Sequence, residues 1–342
     1  MNQLEEKIRH AINLNGPMSI ETYMNLAVGQ YYASRDPFGA EGDFITAPEI
    51  SQMFGELIGI WIADTWIKLG QPETFNLIEA GPGRGTLMAD ILRATERIPG
   101  FHDAAQIHLI ENSTALREMQ EHNLQGYQVW WHETLDSVPS GPIIFIANEF
   151  FDALPIRQFI CKDGQWHERV VALENDKLVL GLSPAEVKLP VIEGAVKEMS
   201  PQSMMFVNKL ANLIEEQTGA ALIIDYGYDQ TYVGDTLQAV KDHKPAEILE
   251  NPGDSDLTAL VDFLALKTYA ANMAVKGPIT QGAFLKNMGI DLRLEKLKAI
   301  ATPQQIMDLQ TGYVRLTAPD QMGDLFKVMG FCHDPKIQLG GF

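Results

Sequence analysis

Leu77-Ile78-Glu79-Ala80-Gly81-Pro82-Gly83-Arg84-Gly85-Thr86 is the stretch on which the fold turns. The apolar run Phe75–Ala80 reads as a short strand, and Thr86–Arg97 carries helical spacing. Glycines crowded into a strand-to-helix turn let a ligand come close to the backbone. Their spacing then selects the ligand. A dinucleotide loop needs G-x-G-x-x-G, and its last glycine position is Thr86 here. A P-loop needs Lys followed by Ser or Thr, and none follows Gly85. What remains is an acid, Glu79, ahead of Gly81, Gly83 and Gly85. A carboxylate at that place favours a cationic group and repels a phosphate.

Beyond this turn the chain alternates strand and helix. Ile107–Glu111, Tyr127–Trp131 and Pro142–Asn148 read as strands, with a helix at Ser113–Gln120. A further helix at Ser203–Gln217 precedes the apolar strand Ala220–Asp225, and Phe326–Cys332 reads as a last strand. Such alternation implies βαβ units and a mostly parallel sheet. Residues 272–280 hold a further strand pattern, and Asp256–Ala271 reads as helical. Asp163-Gly164 lies between Gln158–Lys162 and Trp166–Leu173, which is a hairpin signal. Ahead of the motif, residues 2–13 and 18–29 have helical spacing, and Pro48–Leu69 reads as one amphipathic helix. The expected organisation is therefore an N-terminal helical and lid segment, 1–72, then a Rossmann-like α/β core, 73–342. That core carries a β-hairpin insertion at about 156–202 and added C-terminal elements after 231.

In open α/β sheets ligands sit at the carboxyl ends of the strands. Acids fall there repeatedly. Glu111 ends the second strand and suits ribose hydroxyls; a plain surface acid is the alternative. Asn148, Glu149 and Asp152 follow the fourth strand, where paired carboxylates can clamp a guanidinium. Either acid could equally cap the next helix. Asp225 ends the fifth strand and either completes this acidic wall or serves a turn. Trp131 follows the third strand, where it could stack on an adenine or simply fill the core. The spacing ExGxGxG is the pattern of S-adenosylmethionine enzymes, whose ligand is a sulfonium amino acid joined to a nucleoside.

Composition narrows the partners. The 342 residues carry a net charge of −19, which disfavours nucleic acid and attracts basic substrates. Two cysteines, Cys161 and Cys332, form no metal knuckle, and the scattered histidines suggest no metal site. No apolar run approaches the length of a membrane span. The opening residues lack the apolar centre of a signal peptide and contain acids, so a cytoplasmic protein is expected.

Longer strings carry a family resemblance. RDPFGAEGDFITAPEISQMFGELIG (Arg35–Gly59), EAGPGRGTLMADILR (Glu79–Arg93) and NEFFDALPIRQF (Asn148–Phe159) resemble the MidA family of S-adenosylmethionine-dependent methyltransferases. IIDYGY (Ile223–Tyr228), LENPGDSDLTALVDF (Leu249–Phe263) and GPITQGAFLKNMGI (Gly277–Ile290) extend the resemblance over nearly the whole chain. That family contains a mitochondrial complex I assembly factor known as a protein arginine methyltransferase. The resemblance implies S-adenosylmethionine as cofactor, a protein substrate with an accessible arginine, and a link to respiratory complex I assembly. It also implies that Gly42, Phe44 and Thr46 belong to the cofactor site, in a loop that composition alone would leave at the surface. Glu149, Asp152 and Asp225 are then the expected catalytic residues. Two other readings stay open: a non-catalytic cofactor-binding assembly factor, and a nicotinamide oxidoreductase. A homodimer is among the expected assemblies.

Overall fold

A computed structural model describes residues 2–34, 46–231 and 234–342. The chain divides into two compact units. The smaller gathers described residues within 1–44, 151–206 and 230–262; the larger gathers 45–150, 207–229 and 263–342.

The larger unit is built on one sheet. Its strands are β1 (Phe75–Ala80), β2 (Ala105–Ile110), β3 (Val129–His132), β4 (Ile143–Asn148), β5 (Gly219–Tyr228), β6 (Ala274–Thr280) and β7 (Phe326–Cys332). Their spatial order is β6-β7-β5-β4-β1-β2-β3. The pairings from β5 to β3 are all parallel. Every residue of β1 and β4 is buried, as expected of parallel strands covered on both faces. Strand β7 is the exception to the parallel rule, since it pairs antiparallel with both β5 and β6. The chain order reverses between β1 and β4, which makes the crevice at their carboxyl ends the natural ligand site.

Helix α1 (Gln52–Lys68) buries Phe54, Leu57, Ile58, Trp61 and Ile62 in the core formed with β1, β4 and β5. The sequence pattern merges this helix with the preceding turn Ala47–Ile50. In the structure the two are separate, because Ser51 is extended and its hydroxyl accepts a hydrogen bond from Met53 N at 3.3 Å. Apolar residues face inward on both sides of that break, so periodicity passes over it.

Glu56 lies on the same helix, almost wholly buried, and it accepts three hydrogen bonds. They come from Arg93 Nη1 at 2.8 Å, Arg293 Nε at 2.7 Å and Arg293 Nη2 at 2.8 Å. Burial alone would raise its pKa, but the two guanidiniums carry it below the usual carboxylate value. A depressed carboxylate stabilises the fold above its unfolded pKa and loses that contribution as pH falls through the folded value. Glu56→Gln should therefore cost about 2 kcal/mol at pH 7, as expected for lost charge-assisted bonds to partly exposed partners. The difference in Tm between variant and wild type should shrink below about pH 4.5. Thermal unfolding at the two pH values measures both.

Among the described residues, the smaller unit holds a five-stranded and a three-stranded antiparallel sheet, with helices at Gln3–Asn15 and Ile20–Ser34. The hairpin expected from Asp163-Gly164 is present between Arg157–Lys162 and Gln165–Glu174, with both turn residues at positive φ. A second hairpin follows through Asn175-Asp176, also at positive φ, to Lys177–Pro184. The expectation of a helix over Asp256–Ala271 is corrected. Asp256–Thr258 and Val261–Asp262 are short strands, and only Phe263–Tyr269 is helical. Leu257, Ala259 and Val261, all buried, alternate with period two, and Asp256–Thr258 pairs with Gln238–Lys241.

Candidate cofactor site

Strand β1 ends at Ala80, and Gly81 N then donates to Ile110 O at 3.1 Å. Gly81, Gly83 and Gly85 all have positive φ, at 63°, 54° and 82°. Gly85 caps helix α2 (Thr86–Thr95) and closes the turn by donating to Pro82 O at 2.7 Å. A Cβ on Gly81 would stand 2.8 Å from Phe150 Cδ2, so the loops after β1 and β4 touch at this glycine.

Glu79 sits one residue from the end of β1, level with Leu109 of β2 and Ile146 of β4. It is 2% exposed, and burial pushes its carboxyl up to about 8. Its Oε2 has no hydrogen-bond partner among the described residues. A buried carboxyl oxygen of this kind is costly unless something completes it. A ligand bearing an ammonium group does so, because it favours the ionised carboxylate; a diphosphate would raise the carboxyl further and keep it protonated. The residues at this turn thus fit an amino-acid nucleoside better than a dinucleotide.

Glu111 follows β2, and its backbone N–H donates to His132 O at 3.0 Å. Burial raises its carboxyl, opposed by hydrogen bonds from the Ser113 and Asn112 backbone. Helix α3 (Thr114–Asn123) then packs Leu116 and Gln120 inward. The Gln120 side chain donates to Gly83 O at 2.7 Å and to Glu111 Oε2 at 3.4 Å. Its own oxygen accepts from Trp131 Nε1 at 2.8 Å. Trp131 is half-buried against the core. Gln120 was not among the residues the sequence motifs single out. Its signal was present, since a glutamine occupies the inward helical position four residues after Leu116.

At the end of β4, Asn148 donates through Nδ2 to Glu149 Oε1 at 3.0 Å, while its Oδ1 lacks a partner among the described residues. Glu149 adopts φ 52°, a sparsely populated region for a non-glycine residue. The same Oε1 accepts from Ala47 N at 2.9 Å. Thr46 is the N-cap residue of the turn that begins there. Asp225 is fully buried and accepts Phe150 N at 3.2 Å and Tyr226 N at 2.9 Å, which ties the loop after β4 to β5. Glu79, Gly81, Gly83, Gly85, Glu111, Trp131, Asn148, Glu149, Asp225 and Thr46 all belong to the larger unit. Asp152 belongs to the smaller one, where its charge, with that of Asp256, helps burial raise the Tyr32 hydroxyl well above its ordinary range. Gly42 and Phe44 lie outside the described residues.

A doubly wound sheet with a glycine turn and the buried acid Glu79 at its reversal point defines a nucleoside-binding α/β enzyme. Comparison with known proteins completes the assignment. Residues 57–279 match a family model described as S-adenosyl-L-methionine-dependent methyltransferase. A Danio rerio protein named protein arginine methyltransferase NDUFAF7, mitochondrial, is 38% identical over 359 residues, covering 94% of this chain and 85% of that protein. The Homo sapiens protein of the same name is 37% identical over 383 residues, covering 100% and 86%. A crystal structure from Burkholderia thailandensis with S-adenosyl-homocysteine bound superposes with a TM-score of 0.85 at 25% identity, covering 99% and 93%. The chain belongs to this S-adenosyl-L-methionine-dependent methyltransferase family, and S-adenosylmethionine is its cofactor. The expectation of a cytoplasmic protein is overturned by the relatives, which are named as mitochondrial. Among the described residues, no helix is long and apolar enough to cross a membrane.

Proposed function

We propose that this chain transfers a methyl group to an arginine side chain of a protein substrate. The observation that carries the reading is the near-full-length similarity to relatives named protein arginine methyltransferase. Two features of the chain support it: the net charge of −19, which draws basic partners, and the carboxylate of Glu149 at the carboxyl edge of β4.

Bound S-adenosylmethionine supplies an electrophilic methyl on a sulfonium. The protein's share is to hold and orient. Glu79 would hold the amino group of the cofactor, Glu111 would hold the ribose hydroxyls, and Asn148 would offer its amide oxygen at the same edge. Glu149 would hold the incoming guanidinium, which stays protonated because its pKa lies far above neutral pH. The carboxylate would polarise the group so that a nitrogen lone pair develops toward the methyl. The N–CH3 bond would form as the S–CH3 bond breaks, leaving S-adenosylhomocysteine as the neutral thioether, and the proton would go last, to a carboxylate or water. Orientation of this kind is worth roughly 7–11 kcal/mol of barrier.

Incubation with methyl-labelled cofactor and arginine-containing peptides, followed by amino-acid analysis, tests the reaction. Label should appear as methylarginine. Glu149→Gln should lower turnover by about 100-fold or more while S-adenosyl-homocysteine affinity stays within about threefold. Label on lysine, or full turnover in the variant, contradicts the reading. Cofactor binding without any transfer would favour the non-catalytic assembly role instead.

A further inference from the structure

Three parts of the cofactor site come from separate stretches of chain: the glycine turn after β1, the acid after β2 and the indole of β3. One side chain joins them. Gln120 is completely buried, and both ends of its amide are engaged: nitrogen to Gly83 O and Glu111 Oε2, oxygen to Trp131 Nε1. Its Cγ also stands 3.4 Å from the place a Cβ would take on Gly85. We infer that Gln120 is a positioning residue that sets the nucleoside half of the cofactor site. This rests on the reading of Glu79, the glycine turn and Glu111 as that site.

The chemistry of the amide explains why glutamine stands here. Gly83 O and the Glu111 carboxylate each need a donor, and the Trp131 indole needs an acceptor; a primary amide offers two donor hydrogens and an acceptor oxygen in one neutral group. Of the Glu111 oxygens, Oε1 accepts Ser113 N at 2.7 Å, and Oε2 meets Gln120 only at 3.4 Å. That long contact orients Oε2 without saturating it, which keeps the oxygen able to accept from a ribose hydroxyl. Arg117 Nε reinforces the geometry from the other side by donating to Glu111 O at 2.8 Å. A leucine or methionine at 120 would keep the volume and lose all three bonds. A glutamate would keep the acceptor for Trp131 and turn a carboxylate on Gly83 O and Glu111.

Calorimetry on the full chain tests this with two ligands, S-adenosyl-homocysteine and adenosine. Gln120→Met should weaken both by the same factor, about 30-fold, because the nucleoside half is what they share. Gln120→Glu should weaken both by more than Gln120→Met does, and its deficit relative to wild type at the same pH should shrink as pH falls toward 5 and the new carboxylate beside Glu111 takes up a proton. Glu56→Gln, which lowers Tm away from this site, is the control and should leave both affinities unchanged. A double-mutant cycle of Gln120→Met with Trp131→Phe should be strongly non-additive. Wild-type affinities retained in Gln120→Met, or equal losses in the Glu56 control, would overturn the inference. Failure of the wild-type chain to bind S-adenosyl-homocysteine would instead overturn the site on which it rests.

Discussion

Gly81→Val should abolish S-adenosyl-homocysteine binding, weakening it by more than about 100-fold, the scale expected when a site shifts by about an ångström. Two effects add. The residue sits at φ 63°, where a β-branched side chain is strained by about 1–2 kcal/mol. Its Cβ would also press into Phe150, 2.8 Å away, so the loop after β4 must move. Both loops frame the crevice at the sheet reversal, and neither can shift without displacing Glu79 or Asn148. Gly81→Ala meets the same contact with less bulk and should fall between valine and wild type. Far-ultraviolet circular dichroism and calorimetry on the three proteins separate loss of binding from loss of fold. Wild-type affinity in the valine variant would remove the turn from the site.

The second large effect is carried by protons. The Glu79 carboxyl lies near 8 when folded, against 4.5 when unfolded, and desolvation is the cause. Between those values the folded chain holds a proton that the unfolded chain has lost, so stability falls as pH rises from about 4.5 to 8. Glu79→Gln carries no such penalty. It should match wild type near pH 4 and exceed it at pH 9 by on the order of a few kcal/mol. Binding runs the other way. A cationic amino group favours the ionised carboxyl, so the ligand expels the proton and affinity should rise about tenfold per pH unit below 8. Calorimetry in buffers of different ionisation enthalpy should count close to one proton released at pH 6.5. In Glu79→Gln the release should vanish and the affinity at pH 8 should fall about 100-fold. A pH-independent affinity in wild type would show that the carboxyl faces no cation.

Local spacing made the glycine turn and its acid legible, because a tight bend and a close ligand approach demand particular residues at adjacent positions. The parallel strands were legible for a related reason: burial on both faces writes them as short apolar runs. Long-range pairing is not written that way. Strand β7, late in the chain, inserts antiparallel between β5 and β6, and nothing within Phe326–Cys332 names those neighbours. The break at Ser51 and the strands around Leu257 were obscured because inward-facing apolar residues can satisfy two periods over so few positions. Gln120 stayed hidden because its three partners come from three other segments. Asp225 was legible as an acid at the sheet edge. Its work in holding the backbone of the next loop over became visible only with the fold. The cellular compartment is not a consequence of fold physics at all, and the named relatives corrected it.

In this mechanism the bend following β1 receives the amino-acid end of S-adenosylmethionine against Glu79. A crystal structure of this chain with S-adenosyl-homocysteine tests it most directly. The ligand's amino group should lie within hydrogen-bonding distance of Glu79 or of a single water on it, with the ribose hydroxyls on Glu111. Density for the ligand at the amino ends of the strands, or with its ribose turned away from Glu111, would contradict it.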